Sequence, residues 1–339
     1  MTGSPATLHC VNPDCSSPRN AIGRDVCANC QSPLVYRYLR AIGEIAAALP
    51  IGSLVAGRYQ VAAPSVWLDT EPQAFPWTPA EVPEPALAYL RLHRWPLHIP
   101  RVYGYCPMGA RSLAADVLLL ENVPLDRQGQ AYPAVTDLWS RAKPLRRLGW
   151  LRQLVQVWEP LAAQGAVGSL LMMGNLRVQG WRLWLQEIDL DLPEESDPAA
   201  QFRKFGALWF AWLAGSLVQV DRPEEQEFAE RLQAWLQPIR QGDIEPAEAL
   251  QDLDFLSLRY QAQRDFSPQV AAHSHLGRVR STNEDACFPA PPLGQAVASP
   301  LAIVCDGIGG HDKGEEASHT AIQSVRLQVE AFLNDLAQD

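Results

Sequence analysis

A chain of 339 residues is longer than one hydrophobic core usually organises, so two or three domains are expected. With 47% hydrophobic and 19% charged residues, no segment is charged enough to resist burial or apolar enough to span a bilayer. A net charge of −10 works against nucleic-acid binding, because that affinity comes mostly from Lys and Arg neutralising phosphates. Met1 to His9 carry neither a basic start nor an apolar stretch, which argues against a secretory signal. A cytoplasmic protein that does not enter membranes is the expectation.

The first cluster with chemical content is Cys10, Cys15, Cys27 and Cys30, spaced C-x4-C-x11-C-x2-C. Each close pair can form one knuckle, and two knuckles can make a tetrahedral thiolate site. Zinc suits four soft thiolates, and so short a segment has almost no core without a metal. The alternatives are disulfides or idle thiols; the missing secretion signal favours zinc over both. Residues 1–33 are thus expected to be a zinc ribbon with a structural or protein-contact role. Cys106, Cys287 and Cys305 have no partner at ligand spacing and are expected to be buried small hydrophobes.

All eleven tryptophans lie between Trp67 and Trp235, so residues 34–265 read as one large core region or two. Pro72, Pro76, Pro79, Pro83 and Pro85 make residues 70–86 an extended loop. Helical spacing marks three apolar faces: Leu148, Leu151, Leu154, Val155 and Trp158; Phe202, Phe205, Trp209, Trp212 and Leu213; and Phe228, Leu232, Trp235 and Leu236.

Parts of this region resemble a worn protein-kinase fold. Gly57 to Val61 resembles the first kinase strand, Leu118 to Glu121 the strand entering the hinge, Gly168 to Asn175 the catalytic loop, and Asp189 the magnesium aspartate. The position of the catalytic base is Leu170, the Gly-rich loop is missing, and no lysine precedes Lys143, so a working kinase is not expected. An unrelated α-rich domain is the other reading of these residues.

From about Phe266 there is no further tryptophan, and two clusters appear. The first runs Ser274-His275-Leu276-Gly277-Arg278-Val279-Arg280-Ser281-Thr282-Asn283-Glu284-Asp285. The second, Leu301 to Gly310, is an apolar strand ending in Asp306, Gly307, Ile308, Gly309 and Gly310. It leads into a helix expected to be amphipathic through Ala321, Val325, Val329 and Phe332. A carboxylate at the end of a buried strand can bridge hard cations, and the carbonyl of Gly307 is an oxygen ligand that Mg²⁺ or Mn²⁺ accepts. Arg280 can grip a phosphate bidentately. Guanidinium for phosphate and carboxylates for metal are the parts of metal-assisted phosphate-ester hydrolysis. A hairpin with ordinary surface charges is the bland alternative, but the two clusters in this order are more specific than a D-G-x-G-G run alone.

The pair resembles the N-terminal motifs of the PPM (PP2C-type) Ser/Thr protein phosphatases over residues 266–339. The resemblance implies that Arg280 holds the substrate phosphate and Asp306 bridges two Mn²⁺ or Mg²⁺ ions. Gly307 would ligate through its carbonyl, with Glu284 and Asp285 supporting the metal site. With the ribbon, the R-Y-L-R stretch at Arg37 to Arg40 and the Trp-rich middle, the arrangement is similar to multidomain bacterial phosphatases of the cyanobacterial type. A phosphoprotein substrate is implied, with protein partners at the ribbon and middle region. Two departures stand out. His275 occupies a position where the family more often has Asp, and the family's later D-G and D-N metal motifs do not occur by Asp339. The expected architecture is therefore multidomain α+β: a zinc ribbon, an α-rich and kinase-like or unrelated middle, and the start of a PPM-type α/β/β/α sandwich.

Overall fold

The structure, a computed structural model, describes residues 6–108, 116–192, 197–217, 223–262, 268–276, 282–307 and 313–336. It is mixed α/β and divides into two compact units, Met1–Tyr260 and Gln261–Asp339.

The larger unit begins with the ribbon, in which β1 (Thr7–His9) pairs antiparallel with β2 (Arg19–Ala21). Leu8 and Leu34 pack with Cys10 and Cys27 in a small core of their own. A six-stranded antiparallel sheet follows, built from β3 (Arg37–Ile42), β4 (Leu54–Val55), β5 (Tyr59–Ala63), β6 (Val66–Asp69), β7 (Arg101–Cys106) and β8 (Val117–Glu121) in the order β4-β5-β6-β3-β8-β7. Helices α1 (Glu44–Ala48) and α2 (Glu84–Arg91) lie in its connections. The loop expected over residues 70–86 ends at Pro83, because Pro85 sits in the first turn of α2, where a missing N–H costs no hydrogen bond.

The sheet is buried on both faces. Leu39 and Ala41 of β3 join Val61, Trp67, Ala46 and Leu119 on one side, while Leu118 and Leu120 of β8 reach a larger core on the other. Double burial explains why β8 reads as a continuous apolar run instead of alternating. Arg58, just before β5, meets the wholly buried side chain of Asp69, at the end of the neighbouring β6, through two 2.8 Å hydrogen bonds. Tyr103 donates a third to the same carboxylate at 2.6 Å. Removing one partner of so buried an ion pair costs about 3–5 kcal/mol.

The second half of this unit is helical: α3 (Val135–Trp139), α4 (Pro144–Gln156), α5 (Trp158–Ala162), α6 (Pro198–Leu217), α7 (Pro223–Gln241) and α8 (Pro246–Ala262), with a hairpin of β9 (Leu176–Gln179) and β10 (Arg182–Leu185) between α5 and α6. The three apolar faces expected here are buried along α4–α5, α6 and α7. Trp139, Trp209 and Trp212 form a ring-to-ring cluster with centroids 5.4–5.5 Å apart. The expectation of an α-rich middle region therefore holds only for its second half. The described residues of 37–121 fold mainly as the six-stranded sheet, with α1 and α2 in its connections.

The smaller unit contains β11 (Gln269–Val270) paired with β13 (Val297–Ala298), β12 (Ala286–Phe288) paired with β14 (Ile303–Cys305), and helix α9 (Gly314–Leu336). Two expectations need correction. The helix forms, but its covered side runs through Ser318, Ile322, Arg326 and Val329, whereas Ala321 and Val325 face outward. The guanidinium of Arg326 lies over the Phe288 ring at 5.2 Å, so an amphipathic cation takes part in the packing that apolar spacing alone assigned to neighbouring positions. Nor is β14 buried, since alternate residues of a strand face opposite sides and Val304 is 81% exposed. Cys106 is buried as expected, while Cys287 and Cys305 on these strands are only half-buried.

Candidate functional site

The four ribbon cysteines converge. Their sulfur atoms lie within 4.8 Å of one another, with Cys10 and Cys30 at 3.5 Å and Cys15 and Cys27 at 3.7 Å. Four zinc–sulfur bonds of about 2.3 Å at tetrahedral angles would put sulfurs about 3.8 Å apart, so the tetrad has the dimensions of a structural zinc site, and none of its members is in a disulfide. The site can hold a metal such as zinc. Donors surround the sulfurs: the backbone N–H of Asn12 points to Cys10 at 3.5 Å, Asn20 Nδ2 to Cys27 at 3.5 Å, and Asn29 Nδ2 to Cys15 at 3.4 Å. Hydrogen bonding with the Ser32 side chain and backbone brings the Cys30 thiol down to about 6, the direction that favours a thiolate ligand. At Cys10 the Asn12 N–H also pulls downward, but burial and the neighbouring Cys30 and Cys27 sulfurs outweigh it and leave that thiol at about 12. Four sulfurs this close make such a split, because adjacent thiolates repel. The asparagines were invisible as ligand support in the sequence, where only the cysteine spacing carried a signal.

The two clusters expected to carry phosphate chemistry belong to the smaller unit. In the β12–β14 pair Ala286 stands opposite Cys305, so the next residue outward on each strand, Asp285 and Asp306, leaves the same end of the ladder. Both are exposed, and Glu284 is half-buried. Gly307 is buried directly beside Glu284. A Cβ there would press into the Glu284 carbonyl oxygen and come within 2.9 Å of its Cβ and 3.0 Å of the Gly314 carbonyl oxygen. One on Gly314, at the start of α9, would lie 3.2 Å from the Glu284 carboxyl carbon. Two glycines thus let the Glu284 segment, the turn after β14 and the first turn of α9 close onto one another. Asn283 fixes the approach by donating to Ser274 Oγ at 2.6 Å while its Oδ1 accepts from the Asp285 backbone N–H at 3.3 Å. Among the described residues, the cysteine tetrad alone brings three or more metal-type ligand atoms within 4.8 Å of one another, so Glu284, Asp285 and Asp306 are neighbours without a shared focus. Their hard oxygens and the Gly307 carbonyl suit Mg²⁺ or Mn²⁺ by type. Arg280, the expected phosphate ligand, lies outside the described residues, as do Gly309 and Gly310.

A third polar centre, in the larger unit, brings together Gly168, Ser169, Asn175, Glu187 and Asp191. Asn175 donates to the carbonyls of Ser169 and Glu187 at 3.0 and 2.9 Å, and its Oδ1 accepts from the backbones of Gln186 and Glu187. Asp191 accepts from the Gly168 and Val167 N–H groups at 2.7 and 3.1 Å. Arg40 of β3 bridges to Glu187 at 3.0 Å, a pairing across most of the larger unit that the sequence did not reveal. Leu170 is wholly buried. Lost solvation and then the nearby Glu187 push the Asp189 carboxyl up, with Arg40 pulling it down by less.

No protein-family model matches the chain, and no curated protein matches it. No helix among the described residues is long and apolar enough to cross a membrane.

Proposed function

We propose that this chain is a metal-dependent protein Ser/Thr phosphatase, hydrolysing phosphate monoesters of a phosphoprotein, with its catalytic residues in 266–339. The observation that carries the reading is the β12–β14 register, which delivers Asp285 and Asp306 to one end of one ladder with Glu284 held over Gly307. Asp306, Asp285, Glu284 and the Gly307 carbonyl would hold Mn²⁺ or Mg²⁺. Such a cation supplies a water acidic enough to attack phosphorus near neutral pH. Arg280 would hold the phosphate by charge-assisted hydrogen bonds. The ribbon would keep a structural Zn²⁺, and ribbon and middle region would recruit or regulate.

The test is phosphate release from a phosphopeptide by the longest natural product containing this chain, with Mn²⁺, with Mg²⁺ and with neither. Metal-dependent turnover abolished by Asp306→Asn and by Arg280→Ala is expected. No metal-dependent turnover would overturn the reading. A catalytically inactive scaffold that binds partners through its ribbon and kinase-like region is the second reading. It is supported by the third polar centre, where Leu170 fills the position of a base and the Asn175 amide is fully engaged with backbone. Inactivity at every metal concentration together with a partner retained in pull-down would favour it.

A further inference from the structure

Two grooves of about 530 and 640 Å³ open side by side on the larger unit and share Gly149, Gln153 and Trp181. Trp181 stands at the tip of the β9–β10 hairpin, 56% exposed, and Leu97 in the wall of the same groove is also exposed, so the two form an apolar patch. The tip is fixed to α4 by Gln153, whose Nε2 donates to the Trp181 carbonyl at 2.8 Å and the Gly149 carbonyl at 2.9 Å while its Oε1 accepts from the Leu183 N–H. The outer wall, residues 94–98, is equally held. Arg182 donates to the carbonyls of Pro96 and Leu97, Asn122 donates to Pro96, and His98 Nδ1 lies 2.8 Å from the Leu183 carbonyl. Such a surface is already in its bound shape, so an occupant loses little of its affinity to ordering the protein.

The charge of the grooves runs opposite to that of the chain. Lys143 and Arg146 line one groove and Arg94 and Arg152 the other, and neither lining contains a carboxylate, although the chain carries −10. Arg152 is engaged with Asp254 at 2.6 Å, whereas Arg94, Lys143 and Arg146 are exposed. Cations on both flanks of an exposed indole complement an anionic segment that also carries an apolar side chain. The acidic balance of the whole chain opposes the continuous phosphate backbone of a nucleic acid more than a short acidic peptide.

We propose that this double groove docks an acidic peptide segment of a protein partner, with an aromatic or aliphatic side chain against Trp181 and carboxylates at Lys143, Arg146 and Arg94. The proposal does not depend on the phosphatase reading, since every residue in it lies in the larger unit. Gly149 provides a way to block the site from within, because a Cβ there meets nothing within 4 Å and a larger side chain would project into the open groove floor.

The experiment is fluorescence anisotropy of the whole chain with a fluorescein-labelled peptide of Asp and Glu around a central Phe. Saturable binding that weakens with salt is expected. It should fall about tenfold or more in Trp181→Ala, in Gly149→Leu and in the pair Lys143→Glu with Arg146→Glu. The pair Arg24→Glu with Arg127→Glu, exposed elsewhere, makes the same change in net charge and should leave binding intact. Circular dichroism identifies any variant that has lost its fold, and the surface charge reversals provide a readout even if Gly149→Leu unfolds. Equal binding of a Lys-rich counterpart, equal loss in the control pair, no loss in the groove variants, or displacement of the peptide by single-stranded DNA at lower concentration would each overturn the proposal.

Discussion

His98 shows how one buried side chain can couple this protein to pH. It is almost fully buried, with Nδ1 2.8 Å from the Leu183 carbonyl oxygen. Burial lowers its pKa from 6.5; the Leu183 hydrogen bond opposes that shift and the nearby Arg182 adds to it. The unfolded chain therefore accepts a proton at pH values where the folded chain still resists one. The stabilisation is fully present above pH 6.5 and is lost as pH falls from there towards the folded value. Thermal unfolding followed between about pH 7 and pH 5 should show a fall that His98→Gln flattens. An unchanged pH profile in that variant would assign the acid sensitivity to other groups.

At the scale of elements, the Glu284–Gly307–Gly314 closure is sensitive to mutation. Gly307→Ala places a methyl group against backbone atoms of two segments that cannot swing aside. Overpacking of this kind costs about 1–3 kcal/mol, and peptide-resolved labelling of Cys287 and Cys305 should accelerate in the variant. Unaltered labelling rates would mean that the close approach does not hold the unit together. The sequence disclosed such features unevenly. Cysteine spacing and the long apolar stripes of α4, α6 and α7 were readable because a tetrahedral site and a helix each impose a short, fixed period. Residues 37–121 were harder, since Leu118 and Leu120 face one core and Leu119 the other, which erases the alternation that would announce a strand. The α9 face was misplaced because Arg326 and Ser318 occupy positions that an apolar count skips. The Arg40–Glu187 bridge joins residues too far apart in the chain for local spacing to reveal. For Glu284, Asp285 and Asp306, the motif could not show that they lack a common focus.

At the largest scale, the ribbon and the sheet have separate cores, and the His9 N–H donates to the Thr70 carbonyl at 2.8 Å between them. The ribbon core is so small that a metal held by the four cysteines would supply most of its folding energy. Treatment with a strong chelator should therefore expose Cys10, Cys15, Cys27 and Cys30 to alkylation while Cys106, wholly buried in the sheet core, stays protected. Ribbon thiols that remain protected after chelation would show that no metal holds them.

The strand order has a further consequence, for how the chain is made. Strand β3 is the first of its sheet to be synthesised, yet it lies in the interior between β6 and β8. Its second neighbour is complete only when Glu121 has left the ribosome, so an apolar strand waits with one edge open while dozens of residues are added. Pairings of such long sequence separation form slowly and expose the nascent chain to misassociation. A ribbon that folds on metal just upstream of Arg37 would end the waiting strand in a compact knot instead of a loose tail, and zinc supply during translation would then influence how much of the protein reaches its native state.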